Sequence, residues 1–182
     1  MTAEHITDEY LDLVDENDTV IGKKKRLEVY AEHLSHFRTV SAFLINSKGE
    51  LWIPRRTPDK ALFPSCLDMS MGGHVESGEI YEQTFVREIQ EELNLDVDTL
   101  PHRLLGHLTP PRDGISSFMN VYEIRTDHAP TYNEEDFVEY FWLTPVALLE
   151  RIDNGEKAKS DLPKLVKIFY LGGLYNSQTH SA

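Results

Sequence analysis

Short apolar runs bounded by turn residues fill the first third of the chain, and longer runs with helical spacing appear from residue 79 onward. Residues 11–14 and 19–23 flank the polar stretch Asp15, Glu16, Asn17 and Asp18 and predict a hairpin. Residues 40–45 and 51–54 flank Asn46, Ser47, Lys48 and Gly49 and predict a second hairpin, with Pro54 ending the pairing before Arg55 and Arg56. Between the two, residues 26–36 are irregular and predict a helical turn. Residues 57–78, broken by Pro58, Pro64, Gly72, Gly73 and Gly78, predict an irregular approach to a helix over 79–93. Further strands are expected over 103–108, 118–124 and 137–143. Helices are expected from Pro145 to Ile152 and from Leu162 to Leu171. Strands on both sides of a central helix, with helices at the end, predict an α/β (α+β) chain whose mixed sheet lies between helices.

The central helix changes the picture from fold to chemistry. At 3.6 residues per turn Glu88, Glu91 and Glu92 stand at i, i+3 and i+4, beside an apolar stripe of Phe85, Val86, Ile89 and Leu93. The acids are expected to face outward over the glycine loop. Like charges at this spacing destabilise a helix by roughly 0.2–0.5 kcal/mol per pair. Arg87 is placed i, i+4 only to Glu91, which leaves Glu88 and Glu92 without a cation in the helix. Hard carboxylate oxygens in such a cluster suit Mg²⁺ or Mn²⁺, and nothing in the cysteine and histidine pattern argues for zinc.

Gly73, five residues, Glu79, seven residues, then Arg87, Glu88, Ile89, Glu91, Glu92 and Leu95 follow one another at the spacing of the Nudix box, and the chain resembles that superfamily. Asn94 stands where the box has glycine. It ends the predicted helix, where a left-handed residue is wanted and asparagine is the next best tolerated. The resemblance implies an α/β/α sandwich and a single domain over residues 1–182, with the box at 73–95 and residues 1–36 as an N-terminal hairpin extension. It also implies divalent-metal-dependent hydrolysis of a diphosphate linkage in a small molecule of nucleoside-diphosphate type. On this basis Glu88, Glu91 and Glu92 and the carbonyl of Gly72 are the candidate metal ligands. The candidate catalytic set is Glu88, Glu91, Arg87 and Glu79, with Glu88 orienting or deprotonating water and Arg87 and Glu79 buttressing the loop. Outside the box, Arg55, Arg56 and Lys60 are candidate phosphate ligands, because guanidinium forks match phosphate oxygens. Asp136 or Glu135 would supply an additional acid.

Nearly the full chain resembles one branch of that superfamily, the one holding isopentenyl-diphosphate isomerase. Residues 13–22, 27–33, 138–144 and the Arg55-Arg56 pair carry the likeness. The isomerase needs a cysteine just before its Gly-His pair, where this chain has Gly72, and two strand acids, aligned here with Ser117 and Met119. Its histidine ligands match only in part, through His33 and His74. The intact box therefore favours hydrolysis over the alternatives, an isomerase or a non-catalytic nucleotide-binding protein.

Charge and length bound the rest. With 31 acidic and 18 basic residues among 182, the net charge of −13 disfavours nucleic-acid backbone and anionic lipid as partners. Oligomeric state is not legible. No run approaches the roughly 18 apolar residues of a membrane span, and the opening residues lack a basic segment followed by an apolar core, so a cytoplasmic location is expected. Cys66 is the only cysteine, which excludes an internal disulfide.

Overall fold

In a computed structural model, residues 8–172 are described. The first hairpin pairs β1 (Tyr10–Val14) with β2 (Val20–Lys25) as a separate two-stranded sheet, followed by the short helix α1 (Arg26–Ala31). The main sheet is built on β3 (Arg38–Ile45), whose residues 40–44 are all buried. A strand buried on both faces reads as a continuous apolar run rather than an alternation, and its two faces feed different cores. Val40, Ala42 and Leu44 join Trp52, Phe85, Ile89 and Leu93 on one side. Phe43 joins Ile53, Val121, Leu148, Leu162, Leu165 and Val166 on the other. A third, small cluster of Leu11, Val29 and Phe37 fastens the N-terminal hairpin and α1 to the body.

The strand order is β6 (His102–Leu108), β7 (Phe118–Arg125), β3, β4 (Leu51–Arg56), β8 (Phe137–Leu143). β3 and β7 run parallel, and the remaining pairs in the sheet are antiparallel, so the sheet is mixed. On one side lies α2 (Tyr81–Leu93); on the other lie α4 (Pro145–Asp153) and α5 (Leu162–Tyr170). This is the expected α/β/α sandwich. A short α3 (Pro110–Asp113) and a 3₁₀ turn over Val97–Thr99 complete the order.

The edge of β3 is shared, and this division shapes the site. β4 pairs with β3 only at Ile45 and Leu51, then leaves to pair with β8 along its length. The vacated half of β3 is taken by β5 (Met71–His74), with Ser41 opposite Gly72 and Val40 opposite Gly73. Nothing in the sequence pattern marks β5, because four residues with two glycines show no periodicity.

Pro54 does not end β4. Its carbonyl accepts from Asp68 N–H at 3.0 Å, so the side of residue 54 that lacks an N–H faces residues 67–68 rather than β8. The proline therefore costs the β4/β8 ladder no bond, and pairing continues through Arg56. Val86 is a second correction: it is 50% exposed, and Thr84 takes the fourth buried place of α2.

α2 ends as expected on Asn94 in the left-handed region, at φ 52° and ψ 35°. Its amide also donates to the Thr131 carbonyl at 2.5 Å. Asn94→Gly should be close to neutral, trading that bond for easier backbone geometry, whereas Asn94→Val should destabilise by about 1–2 kcal/mol. Denaturant titration checks this. Equal stability of the two variants would mean that residue 94 is not held left-handed in solution.

Candidate metal and phosphate site

Glu88 and Glu92 do not face outward. The Glu88 side chain is only 13% exposed and lies against β5, where a Cβ on Gly73 would stand 2.1 Å from its Cδ. Gly73 is thus required by the carboxylate packed beneath it. One turn later, Glu92 accepts from the Gly72 N–H at 3.2 Å. The Gly-Gly step holds both acids against the backbone of β5. Glu91 is different: its side chain is 60% exposed and, among the described residues, is held only by Arg87 at 3.3 Å.

Arg87 spends its guanidinium on the scaffold. Nε and Nη2 donate to the two Glu79 oxygens at 3.0 and 2.9 Å, Nη1 donates to Glu88 at 2.8 Å, and Nη2 also donates to the His74 carbonyl at 3.1 Å. Glu88 therefore does have a cation beside it, which helical spacing alone had not allowed. Glu79 precedes the helix and further accepts from Thr84 Oγ1 and Glu76 N–H. This bonding holds its carboxyl below the usual range, with the Arg87 hydrogen bond as the largest cause. The Arg87–Glu79 pair ties the loop to the helix.

The two inner acids are electrostatically unbalanced. Burial pushes the Glu88 carboxyl up to about 7, against the opposing pull of Arg87. Burial also raises Glu92 well above the carboxylate range, and its next largest influences, Glu88, Asp136 and Asp68, are all acids that raise it further. Buried carboxylates short of positive charge are what a divalent cation relieves, and the donors are hard oxygens, so the residues present fit Mg²⁺ or Mn²⁺. Among the described residues no three acid, histidine or cysteine side chains already converge as a finished ligand cage.

The same imbalance gives a pH expectation. An acid whose folded pKa is raised binds more protons when folded, so metal-free stability should fall as pH climbs from about 4.5 to about 7. Glu88 alone would contribute on the order of 2–3 kcal/mol to that fall. Glu88→Gln should flatten the profile of Tm against pH in this window, and an unchanged slope would contradict the buried, destabilised carboxylate.

Around these acids stand the candidate phosphate ligands and several residues that sequence reasoning missed. Arg56 pairs with buried Asp68 at 2.8 Å, and Lys60 with Asp136 at 2.5 Å. Both cations therefore border the acid cluster through the two carboxylates that press on Glu92. Arg55 does not join them. It donates to Glu139 and Glu156, each at 2.5 Å, and lies over the Phe141 ring on the other side of the strand pair. Glu135 contributes its carbonyl, to Thr57, and Asp136 its side chain. Asp68 and Lys159, joined at 3.4 Å, come from loops with no local signature, as does Glu9, whose charge reaches Glu88 from the N-terminal segment.

A cavity of about 310 Å³ opens beside the glycine pair. Gly72, Gly73, His74 and Lys159 line the end next to the box; Phe37 and Met119 are among its walls. Burial drives the His74 imidazole down to about 3, so it is neutral, and it shares a 2.7 Å hydrogen bond with the Tyr30 hydroxyl. Gly72, Ser117 and Met119, the places where an isomerase would carry its thiol and acids, offer no titratable group; Ser117 is buried and bonded to Thr39 at 2.7 Å.

Known proteins agree with this architecture. An uncharacterised Nudix hydrolase of Nostoc is 58% identical over 162 residues, covering 89% of this chain and 96% of the relative. A Nudix hydrolase of Deinococcus radiodurans is 50% identical over 165 residues, covering 91% and 96%. The crystal structure of DR0079 from Deinococcus radiodurans superposes with a TM-score of 0.85 at 50% identity, covering 89% of this chain and 99% of that one. More remotely, an isopentenyl-diphosphate isomerase of Paenarthrobacter aurescens is 27% identical, covering 81% of this chain and 83% of the isomerase. A family model of the NUDIX domain matches residues 35–164, and the chain belongs to the Nudix family, hydrolases that act on phosphorus-containing anhydrides.

Proposed function

We propose that this protein is a Mg²⁺-dependent hydrolase, with Mn²⁺ able to substitute, that cleaves the phosphoanhydride bond of a small nucleoside-diphosphate-type substrate. The observation that carries this reading is the seating of two unbalanced carboxylates, Glu88 and Glu92, against the glycines of β5 beside a cavity. When bound, the cation would neutralise charge on the phosphates and lower the pKa of water. Glu92 and Glu88 would hold it, with the Gly72 carbonyl and the exposed Glu91 as further oxygen donors. Glu88, freed of its own proton by the cation, would orient or deprotonate the attacking water while Arg87 keeps the carboxylate in place. Arg56, Lys60 and Lys159 would meet the phosphates at the rim. A single domain with an N-terminal hairpin extension and a cytoplasmic location belong to the same reading.

The test is phosphate release across nucleoside diphosphates, triphosphates, sugar nucleotides and dinucleotides with Mg²⁺ or Mn²⁺. Turnover on a diphosphate-containing nucleotide supports the proposal, and its absence with every class contradicts it.

The remote isomerase relatives give the second reading one specific observation. Isomerisation needs an acid and a base within hydrogen-bond reach of an allylic carbon, and Gly72, Ser117 and Met119 supply neither. No solvent deuterium should therefore enter isopentenyl diphosphate on incubation with enzyme and Mg²⁺, as read by mass spectrometry. Catalytic incorporation would overturn the hydrolase reading.

A further inference from the structure

The N-terminal hairpin and α1 are joined to the body by a small core and a set of polar bonds, and the polar bonds converge on one stretch of chain. Leu11, Val29 and Phe37 form the core. The bonds reach residues 74–81, which lead into the acid-bearing helix α2. Asp12, in β1, grips the turn there: Oδ1 accepts from the Ser77 hydroxyl at 2.7 Å and Oδ2 from the Gly78 N–H at 3.1 Å. The Tyr10 carbonyl accepts from the Ser77 N–H at 2.7 Å. On one side of this turn the Tyr30 hydroxyl of α1 meets His74 Nε2 at 2.7 Å, and on the other Asp18 accepts from the Tyr81 hydroxyl at 2.9 Å. β1, the turn of the hairpin and α1 each hold a different part of the box segment, and all of them lie outside the residues that the family model matches.

What these bonds hold is the support of a metal ligand. Gly78 sits at φ 94°, a conformation that glycine permits but does not itself fix. Within the turn, the Glu79 N–H donates to the Glu76 carbonyl at 2.9 Å and the Glu76 N–H to the Glu79 carboxylate at 3.2 Å. Glu79 in turn holds Arg87, and Arg87 holds Glu88. A shift of the turn therefore reaches the Glu88 carboxylate through one acid and one guanidinium. Groups that orient a metal ligand tune affinity for the ion without touching it.

We propose that the N-terminal hairpin is a working part of the metal site, and that Asp12 is a positioning residue that sets the box turn so that Glu79 and Arg87 present Glu88 to the cation. The proposal rests on the metal site of the hydrolase reading and adds to it a hold from outside the matched domain. Linkage makes the coupling reciprocal: the factor by which the docked hairpin raises metal affinity is the factor by which bound metal favours docking. Asp12→Ala removes both bonds to the turn. Asp12→Asn can keep them, because its carbonyl oxygen accepts from the Gly78 N–H while its amide donates to the Ser77 hydroxyl. The pair separates lost geometry from lost charge.

Mn²⁺ binding to the substrate-free full chain, read from the electron paramagnetic resonance signal of the free ion, tests this without turnover. Asp12→Ala should weaken binding roughly tenfold, and Asp12→Asn should stay within about twofold of the unaltered protein. Val166→Ala, in the core on the far side of the sheet, controls for general destabilisation: it should lower Tm and leave Mn²⁺ affinity within about twofold. If Asp12→Ala folds poorly, hydrogen exchange on the unaltered protein decides, since saturating Mn²⁺ should slow exchange across residues 10–25 by a factor similar to that loss of affinity. Unchanged affinity in Asp12→Ala, an equal loss in Asp12→Asn or in Val166→Ala, or hairpin exchange indifferent to Mn²⁺ would overturn the proposal. Absence of turnover on every nucleotide would sink the hydrolase reading and leave these affinities standing, so the two can fail separately.

Discussion

Glu92→Gln is expected to lower kcat by about 10²-fold or more while leaving the metal-free protein at least as stable as before. The Glu92 carboxylate is buried near the charges of Glu88, Asp136 and Asp68, and among the described residues the Gly72 N–H is the one hydrogen-bond donor to it. A neutral amide of the same shape removes that repulsion and can still accept from Gly72. It cannot supply the negative charge that holds a cation. Activity and stability should therefore move in opposite directions, a pattern that damage to the fold does not produce. Parallel kinetics and thermal melts check it. Loss of activity accompanied by a large fall in Tm would indicate a structural role instead.

Gly73→Ala is expected to be nearly as harmful to activity, again with little cost in stability. A Cβ at residue 73 would meet Glu88 Cδ and Oε1 at 2.1 Å, so one of the two must move. The end of a glutamate side chain can swing aside, which keeps the stability loss to about 1–3 kcal/mol, a few degrees in Tm. That movement takes the carboxylate away from its seat beside Arg87, and kcat should fall roughly 10²-fold. Gly72→Ala makes an informative comparison, because its Cβ would come no closer than 3.5 Å to Lys159 Nζ and meet ordinary van der Waals contacts. It should lose far less. Equal losses at the two glycines would show that flexibility of the loop, and not space for Glu88, is what residue 73 provides.

The two predictions mark where the sequence was legible. Spacing along α2 identified the acids, and the apolar runs placed both hairpins, the closing helices and the sandwich, because periodicity is a property of adjacent residues. Orientation was another matter. Glu88 and Glu92 turn inward because β5 packs over them, and β5 is a four-residue strand whose two glycines carry no pattern of their own. Val86 was assigned to the core by helical spacing, but the first turns of α2 bury the side of Thr84 instead. Pro54 reads as a strand breaker unless the side its ring faces is known. For Arg55 and Arg56, adjacency concealed opposite fates, since consecutive strand residues point to opposite faces and only Arg56 borders the acid cluster. Asp68 and Lys159 reach the site from loops distant in sequence, where a single chain offers no local signal.

The most direct test of the account is the rate of hydrolysis of a nucleoside diphosphate as a function of Mg²⁺ concentration, for the unaltered protein and for Glu92→Gln. The unaltered protein should be inactive in chelator and rise to a plateau with added Mg²⁺, and the variant should stay near the baseline throughout. A plateau of equal height for the variant, or full activity of the unaltered protein in chelator, would contradict a cation held by Glu88 and Glu92 beneath the glycines of β5.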